Sequence, residues 1–435
     1  ADTPTGEWVL GIGYDDSLIV EKRHPTRAEL DAISTEHPIF LVHVSGHLGV
    51  ANSLALEKVS YDRNTPNPDG GEIVKDPDGE PNGLLLETAA MPVQMLAMNF
   101  GVGDFFKMIR YASDEYASVG VTTAQSGAAD ANTAKGLELA LKMRIVPFRV
   151  AILPMHSMLG TQLLDGSYSV DEHNSDMFTV GPIKIISDGS IQGYTGFLRH
   201  PYHVPYHGDT SYRGYPTFEQ AELDKIIEKF HTADLQIAVH ANGDAAIDAL
   251  IDAFARAQKK HYRADARPIV IHSQMATDDQ LDRMKEHGLT PSFFSAHTYY
   301  WGDRHRDIFM GPQRAAHMSP TASALKKGVP FSVHLDSPVV PMDPLFLVWS
   351  TVNRETSNGH VIGPDQRISP MQALRAVTID AAWQIFQDDN RGSLEPGKWA
   401  DMVILSGNPL SDPAKIRDLR VEETIVGGRT IFVAD

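Results

Sequence analysis

The amino-acid sequence predicts an α/β protein built around a (β/α)₈ barrel, and three observations carry that prediction. From about residue 104 onward, short apolar runs rich in β-branched residues alternate with helix-like stretches, which indicates a parallel sheet. Several of these runs end in a chemically active side chain, as barrel strands do where they form a site. No glycine-rich G-x-G-x-x-G loop follows an early strand, which argues against an open doubly wound sheet.

The N-terminal part of the chain lacks this alternation. GEWVLGIGYDD predicts a strand that runs into a turn, and PIFLVHVSGH predicts a second strand. A later stretch repeats Pro-Asp-Gly and predicts a loop or a small hairpin. We interpret residues 1–100, approximately, as a strand and loop region inserted into a barrel domain of residues 1–390.

The alternating part begins with FFKMIRYASDEYASVG, a predicted helix that ends at Gly120. Seven strands follow: VTTAQS, IVPFRVAILP, IKIIS, QIAVH, PIVIH, TPSFFSAH and PFSVHL. Helices are predicted between them, and SPMQALRAVTIDAAWQIF predicts one long helix after the last strand. Residues 391–435 form a C-terminal β segment, in which two β runs around Gly427-Gly428 predict a hairpin.

Composition narrows the function. The net charge of −18 argues against a nucleic acid or an anionic membrane as partner, and no run of 18 apolar residues predicts a membrane span. The chain has no cysteine, so disulfides, thiolate metal sites and a cysteine nucleophile are excluded. We expect a small-molecule substrate, a cytoplasmic location with the periplasm as alternative, and a homodimer as the default assembly.

Four residues end the apolar runs, and they are the candidate site: Lys184, His240, His272 and Asp336. Neutral imidazoles that converge at one end of a barrel are frequent zinc ligands. Each residue taken alone has another interpretation. The histidines could be structural, Asp336 could cap a helix, and Lys184 could pair with Asp188. If the four residues do not form a site, all of these alternative interpretations must be true at the same time.

The motifs around these residues resemble the amidohydrolase superfamily. The strand motifs K-x-x-x-D-G-S, V-H-A-N-G-D and I-H-S-Q, the helix ALRAVTIDAA and the tail GSLEPGKWADMVIL carry the resemblance from Gly6 to the end of the chain. The branch it resembles is amidohydrolase family 3, which includes N-substituted formamide deformylase. The resemblance implies that Lys184 is carboxylated and bridges metals. It also implies that His240 and His272 bind a divalent metal, zinc, and that Asp336 binds metal and takes a proton from the attacking water.

Other residues are candidates for substrate binding. The predicted strand TPSFFSAH ends in SAHTYYWGDRH, where we assign His297, Tyr300 and Trp301 to the substrate pocket. His47 lies in HVSGH, which resembles a Gly-His loop near the family's active site. The Tyr-rich loop after Lys184 is either a second substrate-binding loop or an aromatic-packed surface loop.

One family feature is missing from the sequence. The family's first strand ends in H-x-H, which supplies two metal ligands, and no such motif occurs near the N-terminus. The expectation is that the first barrel strand and part of a small β-sandwich are absent from this chain, so that the C-terminal tail forms only a remnant of the sandwich. A separate N-terminal segment would then complete the site.

Three functions follow from the sequence. The favoured one is a metal-dependent hydrolase that cleaves non-peptide C–N bonds of amides. The second is a lactonase or other ester hydrolase that uses the same site, because metal-activated water does not by itself separate C–O from C–N bonds. The third is a truncated, inactive barrel retained as a binding module.

Overall fold

The computed structural model describes residues 3–16, 19–21, 23–99 and 101–435. Its central part alternates strands and helices, which confirms the predicted α/β class with parallel strands. The elements from residue 102 to residue 384 are α4 Val102–Ser118, β6 Thr123–Ala129, α5 Ala131–Lys142, β7 Arg149–Pro154, α6 Leu159–Asp165, α7 Val170–His173, β8 Phe178–Val180, β9 Ile183–Ile186, α8 Gln220–Thr232, β10 Ile237–Ala241, α9 Asp244–Lys260, β11 Ile269–His272, α10 Asp278–His287, β12 Thr290–Phe293, α11 His297–Arg304, a π-helix His305–Phe309, α12 Gly311–Ala316, α13 Thr321–Lys327, β13 Ser332–Val333, α14 Pro344–Asn353, a 3₁₀ turn Pro364–Gln366, α15 Pro370–Ala376 and α16 Ile379–Gln384.

Seven of these strands, β6, β7 and β9 to β13, correspond to the predicted strands and follow one another in chain order, and the short strand β8 pairs with β7. Strands β9 to β13 form one parallel sheet, and β6, β7 and β8 form another. A parallel bridge between Met155 and Lys184 joins the end of β7 to β9, so the two sheets continue one another. The seven predicted strands are therefore present. Among the described residues no strand pairs with the outer edges of β6 and β13, so closure into eight strands stays a prediction.

The N-terminal region contains more secondary structure than the predicted strand and loop region. It contains β1 Val9–Tyr14, α1 Arg27–Ile33, β2 Ile39–His43, β3 Leu48–Ala51, α2 Ser53–Lys58, β4 Gly71–Lys75, β5 Pro81–Glu87 and α3 Met91–Ala97. The five strands form a mixed sheet in the order β1-β2-β3-β5-β4. It has its own apolar core, which includes the fully buried Phe40 and Leu85. One Pro-Asp-Gly segment precedes β4 and the other lies between β4 and β5, which pair antiparallel, so of the two predicted alternatives, a loop or a small hairpin, the hairpin is present.

The C-terminal tail forms a three-stranded antiparallel sheet. Its elements are β14 Met402–Leu405, a 3₁₀ helix Pro413–Asp418, β15 Val421–Val426 and β16 Arg429–Val433. Gly427 and Gly428 both have positive φ, +57° and +74°, as a two-residue hairpin turn requires. The hairpin prediction is therefore confirmed.

A buried ion pair ties this tail to the barrel. Arg149, the first residue of β7, donates to Asp401 through Nε at 2.6 Å and Nη2 at 3.0 Å. Both side chains are buried, and the guanidinium lies 3.8 Å from the Trp399 ring centroid. Asp401 also accepts the backbone N–H of Gly427 in the hairpin turn. One arginine thus connects the barrel strand with the tail sheet.

Replacing Arg149 by methionine is therefore expected to destabilise the protein by about 3–5 kcal/mol, because Asp401 would stay buried without its counter-charge. Urea unfolding followed by circular dichroism measures the change in the free energy of unfolding. The matched control is Lys260→Met, which removes an exposed pair with Glu228 and should change stability by at most about 1 kcal/mol. Equal effects of the two substitutions would contradict the structural role of the buried pair.

Two helix predictions need correction. The stretch SPMQALRAVTIDAAWQIF forms two helices, α15 and α16, instead of one, because the chain leaves helical geometry at Thr378, where φ is −125° and ψ is −98°. Helix α14 was not predicted, since PLFLVWSTVN is apolar on nearly every face and shows little amphipathic periodicity. None of the described helices is long and apolar enough to cross a membrane.

Candidate active site

The structure brings the four candidate residues together at the parallel sheet, with His240, His272 and Asp336 at the C-terminal ends of their strands and Lys184 at the second position of β9, opposite Ala238. Lys184 lies on β9, His240 on β10 and His272 at the end of β11, and Asp336 follows β13. Adjacent strands pair in parallel, so their C-terminal ends meet there. The imidazole rings of His240 and His272 lie 4.5 Å apart between centroids.

The surroundings of this cluster set the protonation of its members. Burial, followed by nearby positive groups, holds the pKa values of His240 and His272 well below their usual range, so both rings are neutral with lone pairs available. Burial lowers the pKa of Lys184 to about 8, and the charge of Asp336 opposes that shift. Asp336 keeps an exposed surface in the cleft. Desolvation by the surrounding protein nevertheless raises its pKa, against the charges of Lys184 and His47.

The structure does not show the alternative pairings considered for Lys184 and Asp336. The Asp188 carboxylate accepts the backbone N–H groups of Phe197, Asn242 and Gly243 instead of pairing with Lys184. Asp336 caps no helix, because the helix that follows it begins at Pro344 and is capped by Asp343.

Two histidines near strand ends, His334 and His240, have polar side chains beside their ring nitrogens. His334 Nε2 lies 3.1 Å from His272 Nδ1, and its Nδ1 lies 2.9 Å from the Ser292 hydroxyl. On β10, His240 Nε2 lies 3.2 Å from the Asn242 amide nitrogen, and its Nδ1 lies 3.2 Å from Asp188 Oδ1 in a geometry that does not form a hydrogen bond. His334 is thus an orienting neighbour of His272.

The N-terminal sheet contributes a histidine to this cluster. The His47 ring, in the turn between β2 and β3, lies 5.1 Å from the His240 ring. Its Nδ1 lies 2.8 Å from Glu87 Oε2. Burial acts to lower the pKa of His47, but Glu87, by charge and hydrogen bond, and then Asp336 and Asp188 raise it overall. Glu87 was missed in the sequence, although it ends the apolar run Leu84-Leu85-Leu86 as the other candidates end theirs.

The predicted substrate residues lie at the start of α11. His297 and Trp301 are buried, and Tyr300 is half-buried. The His297 ring lies 6.3 Å from that of His272, and its Nδ1 has no hydrogen-bond partner. Trp301 Nε1 donates to Asp15 Oδ2 at 3.2 Å, so its polar edge is already occupied. The Tyr-rich loop after Lys184 packs ring against ring, with Tyr194 touching Tyr202 and Tyr206.

A second polar group, formed by Asp15, Asp16 and His43, lies nearby. One ligand atom from each of these residues falls within 4.8 Å of the others, which makes them a candidate cation site. Arg304 already faces both carboxylates, at 3.6 Å from Asp15 and 3.2 Å from Asp16. Burial would raise the pKa of Asp16, but His43 and Arg304 hold it at about 2. The guanidinium therefore supplies the positive charge that this group requires.

The chemistry of the predicted cluster fits a divalent metal. It combines the neutral imidazoles of His240 and His272, the Asp336 carboxylate, and Lys184, whose amine has no hydrogen bond or ion pair within the described parts of the chain. No second group as compact as Asp15, Asp16 and His43 occurs among the described residues, so His240, His272 and Asp336 spread more widely than that.

Comparisons with known proteins agree with this chemistry. A model described as the amidohydrolase family matches residues 1–432. The chain is 30% identical to N-substituted formamide deformylase of Arthrobacter pascens, over 98% of this chain and 79% of that protein. It is 28% identical to protein LONG AFTER FAR-RED 3 of Arabidopsis thaliana, over 98% and 74%. An uncharacterized metal-dependent hydrolase from Pyrococcus horikoshii OT3 has a TM-score of 0.73 and 25% identity, covering 94% of this chain and 79% of that one.

Proposed function

The chain belongs to the amidohydrolase family, and on that premise we propose that this hydrolase cleaves non-peptide C–N bonds of amides with the help of divalent metal. The observation that supports the proposal is the grouping of His240, His272 and Asp336 at the C-terminal ends of parallel strands, with Lys184 of β9 within charge range of them. Because a relative is a formamide deformylase, N-substituted formamides are the first substrate class to test.

The residues take the following roles. His240 and His272 hold metal through neutral imidazole nitrogens, and zinc is the metal that this donor set favours. Lys184, as a carbamate formed with carbon dioxide, would supply further oxygen ligands to the metal. A divalent metal, when bound, polarises the carbonyl and lowers the pKa of water.

Asp336 moves the proton in this scheme. It takes a proton from the attacking water as the water oxygen bonds to the carbonyl carbon. It then gives that proton to the leaving nitrogen as the C–N bond breaks. The products are a carboxylic acid and an amine. His47, His297, Tyr300 and Trp301 border the space in which we place the substrate.

Metal removal tests the proposal directly. Dialysis against a chelator should abolish formamide hydrolysis, and added zinc should restore it, because the cluster then regains its Lewis acid. The purified protein should hold about one or two metal ions per chain by elemental analysis, as the ligand set allows. Less metal, with no hydrolysis after metal addition, would favour a binding module without activity.

Paired substrates separate the amide and ester alternatives. An N-substituted formamide and the formate ester of the same shape present the same carbonyl with different leaving groups. Faster turnover of the amide supports the proposed function, and turnover of the ester alone would support a lactonase or esterase.

A further inference from the structure

Glu87 occupies a constrained position between the N-terminal sheet and the barrel. It ends β5, its side chain is only 12% exposed, and its backbone N–H donates to the His47 carbonyl at 2.7 Å. Its φ is +50°, a left-handed conformation that is unfavourable for a residue with a side chain. Such local strain persists where the surrounding structure fixes a side chain, and it clusters at functional sites.

Both oxygens of this carboxylate have partners from different parts of the chain. Oε2 lies 2.8 Å from His47 Nδ1, and Oε1 accepts the Thr195 hydroxyl at 2.5 Å. Thr195 is fully buried and accepts the backbone N–H of Ser190. The carboxylate of Glu87 therefore joins the His47 turn to the loop that contains Thr195.

Gly189 has no side chain, and this leaves room for the Glu87 carboxylate. A Cβ at position 189 would lie 2.1 Å from Glu87 Oε1 and 2.2 Å from Thr195 Oγ1. Gly189 follows Asp188, whose carboxylate lies beside His240. The glycine of K-x-x-x-D-G-S therefore lets Glu87 approach the loop that supports His240.

The contact with Glu87 leaves one ring nitrogen of His47 free. Nδ1 is held by Glu87, while Nε2, on the far side of the ring, has no hydrogen bond to any described residue. The ring lies against His240, at the mouth of the cluster that includes Asp336. Donating the second ring N–H to a carboxylate is a common way to fix the tautomer and orientation of a working histidine.

We propose that Glu87 is a positioning residue: it holds His47 in the Nδ1–H tautomer and directs Nε2 at the scissile amide of the bound substrate. The proposal rests on the proposed function for its substrate. It assigns a role to a residue of the N-terminal sheet, which therefore completes the site as well as covering it. Thr195 and Gly189 act on the same contact by fixing the carboxylate.

A double-mutant cycle tests whether Glu87 acts through His47. Glu87→Gln should lower kcat by about 10- to 100-fold, with KM and the melting temperature little changed. In a His47→Gln background the same substitution should have no further effect on kcat, because its target is gone. A loss of kcat that is equal in both backgrounds would overturn the proposal. Glu80→Gln removes a carboxylate that pairs with Arg63 at the surface of the same sheet, and it should leave kcat unchanged.

A spectroscopic measurement keeps the test independent of turnover. With ¹⁵N-labelled histidine, the His47 ring signals are those lost in His47→Gln, among the 19 histidines of the chain. At a pH above the raised pKa of His47, where the ring is neutral, they should show a single Nδ1–H tautomer in the native protein and in Glu80→Gln, which leaves the contact between Glu87 and His47 intact. Glu87→Gln should populate the second tautomer. Unchanged signals in Glu87→Gln would overturn the proposal even if the enzyme acts on a substrate other than an amide.

Discussion

Asp336→Asn is expected to bring hydrolysis to background. Loss of a positioned general base alone lowers the rate by about 10²- to 10⁴-fold. Asparagine also lacks the negative charge of Asp336, which acts to raise the pKa of Lys184 while burial lowers it. The measurement is kcat for N-substituted formamide hydrolysis by the metal-loaded variant, together with its metal content.

The same substitution should leave the fold intact. Asparagine has nearly the shape of aspartate and tolerates positive φ better than most residues, and Asp336 has φ +84°. The matched control is Asp343→Asn, seven positions later, where the side chain caps α14 by accepting the Phe346 N–H. Asparagine caps helices as well as aspartate does, so this variant should keep full activity. Retained activity in Asp336→Asn would contradict the role of Asp336 as the base.

The strand-end residues could be predicted because each follows a local apolar run. IKII, QIAVH and PIVIH are short, β-branched and bounded by turns, so the strands and their ends are visible in the sequence. Parallel strands then place these ends together without any knowledge of pairing partners. The rule that a polar residue at the end of an apolar run marks a candidate site also applies to Glu87, the last residue of GLLLE. That run lies outside the alternating part of the chain, where no barrel end was predicted.

Contacts between segments that are distant in the chain could not be predicted from local sequence patterns. Glu87 meets His47 because β3 and β5 pair antiparallel, with Leu48 opposite Leu86, and no sequence periodicity specifies that register. Asp15 meets Trp301 across 286 positions of the chain. Helix α11 and the π-helix after it follow a strand end rich in aromatic residues, which gives no helical signal.

Lys184→Met is expected to remove bound metal while leaving stability unchanged or higher. The amine is buried without a hydrogen bond or ion pair to any described residue, which is unfavourable for folding. Methionine has a similar length and carries no charge, so the apolar strand around it should accept it. Under the proposed function the variant also loses the carbamate that supplies oxygen ligands, and with it the metal.

Lys184→Met should therefore lower metal content while it leaves stability unchanged or higher. This pattern separates a metal ligand from a structural lysine. Elemental analysis should show that metal retention falls, and urea unfolding of metal-free protein should show no loss of stability. Mass spectrometry of the native protein under gentle conditions should detect one added carbon dioxide that Lys184→Met lacks. Lys142→Met, at an exposed helical position, should change none of these properties. Full metal occupancy in Lys184→Met would remove Lys184 from the ligand set, since a purely structural lysine affects stability without affecting metal content.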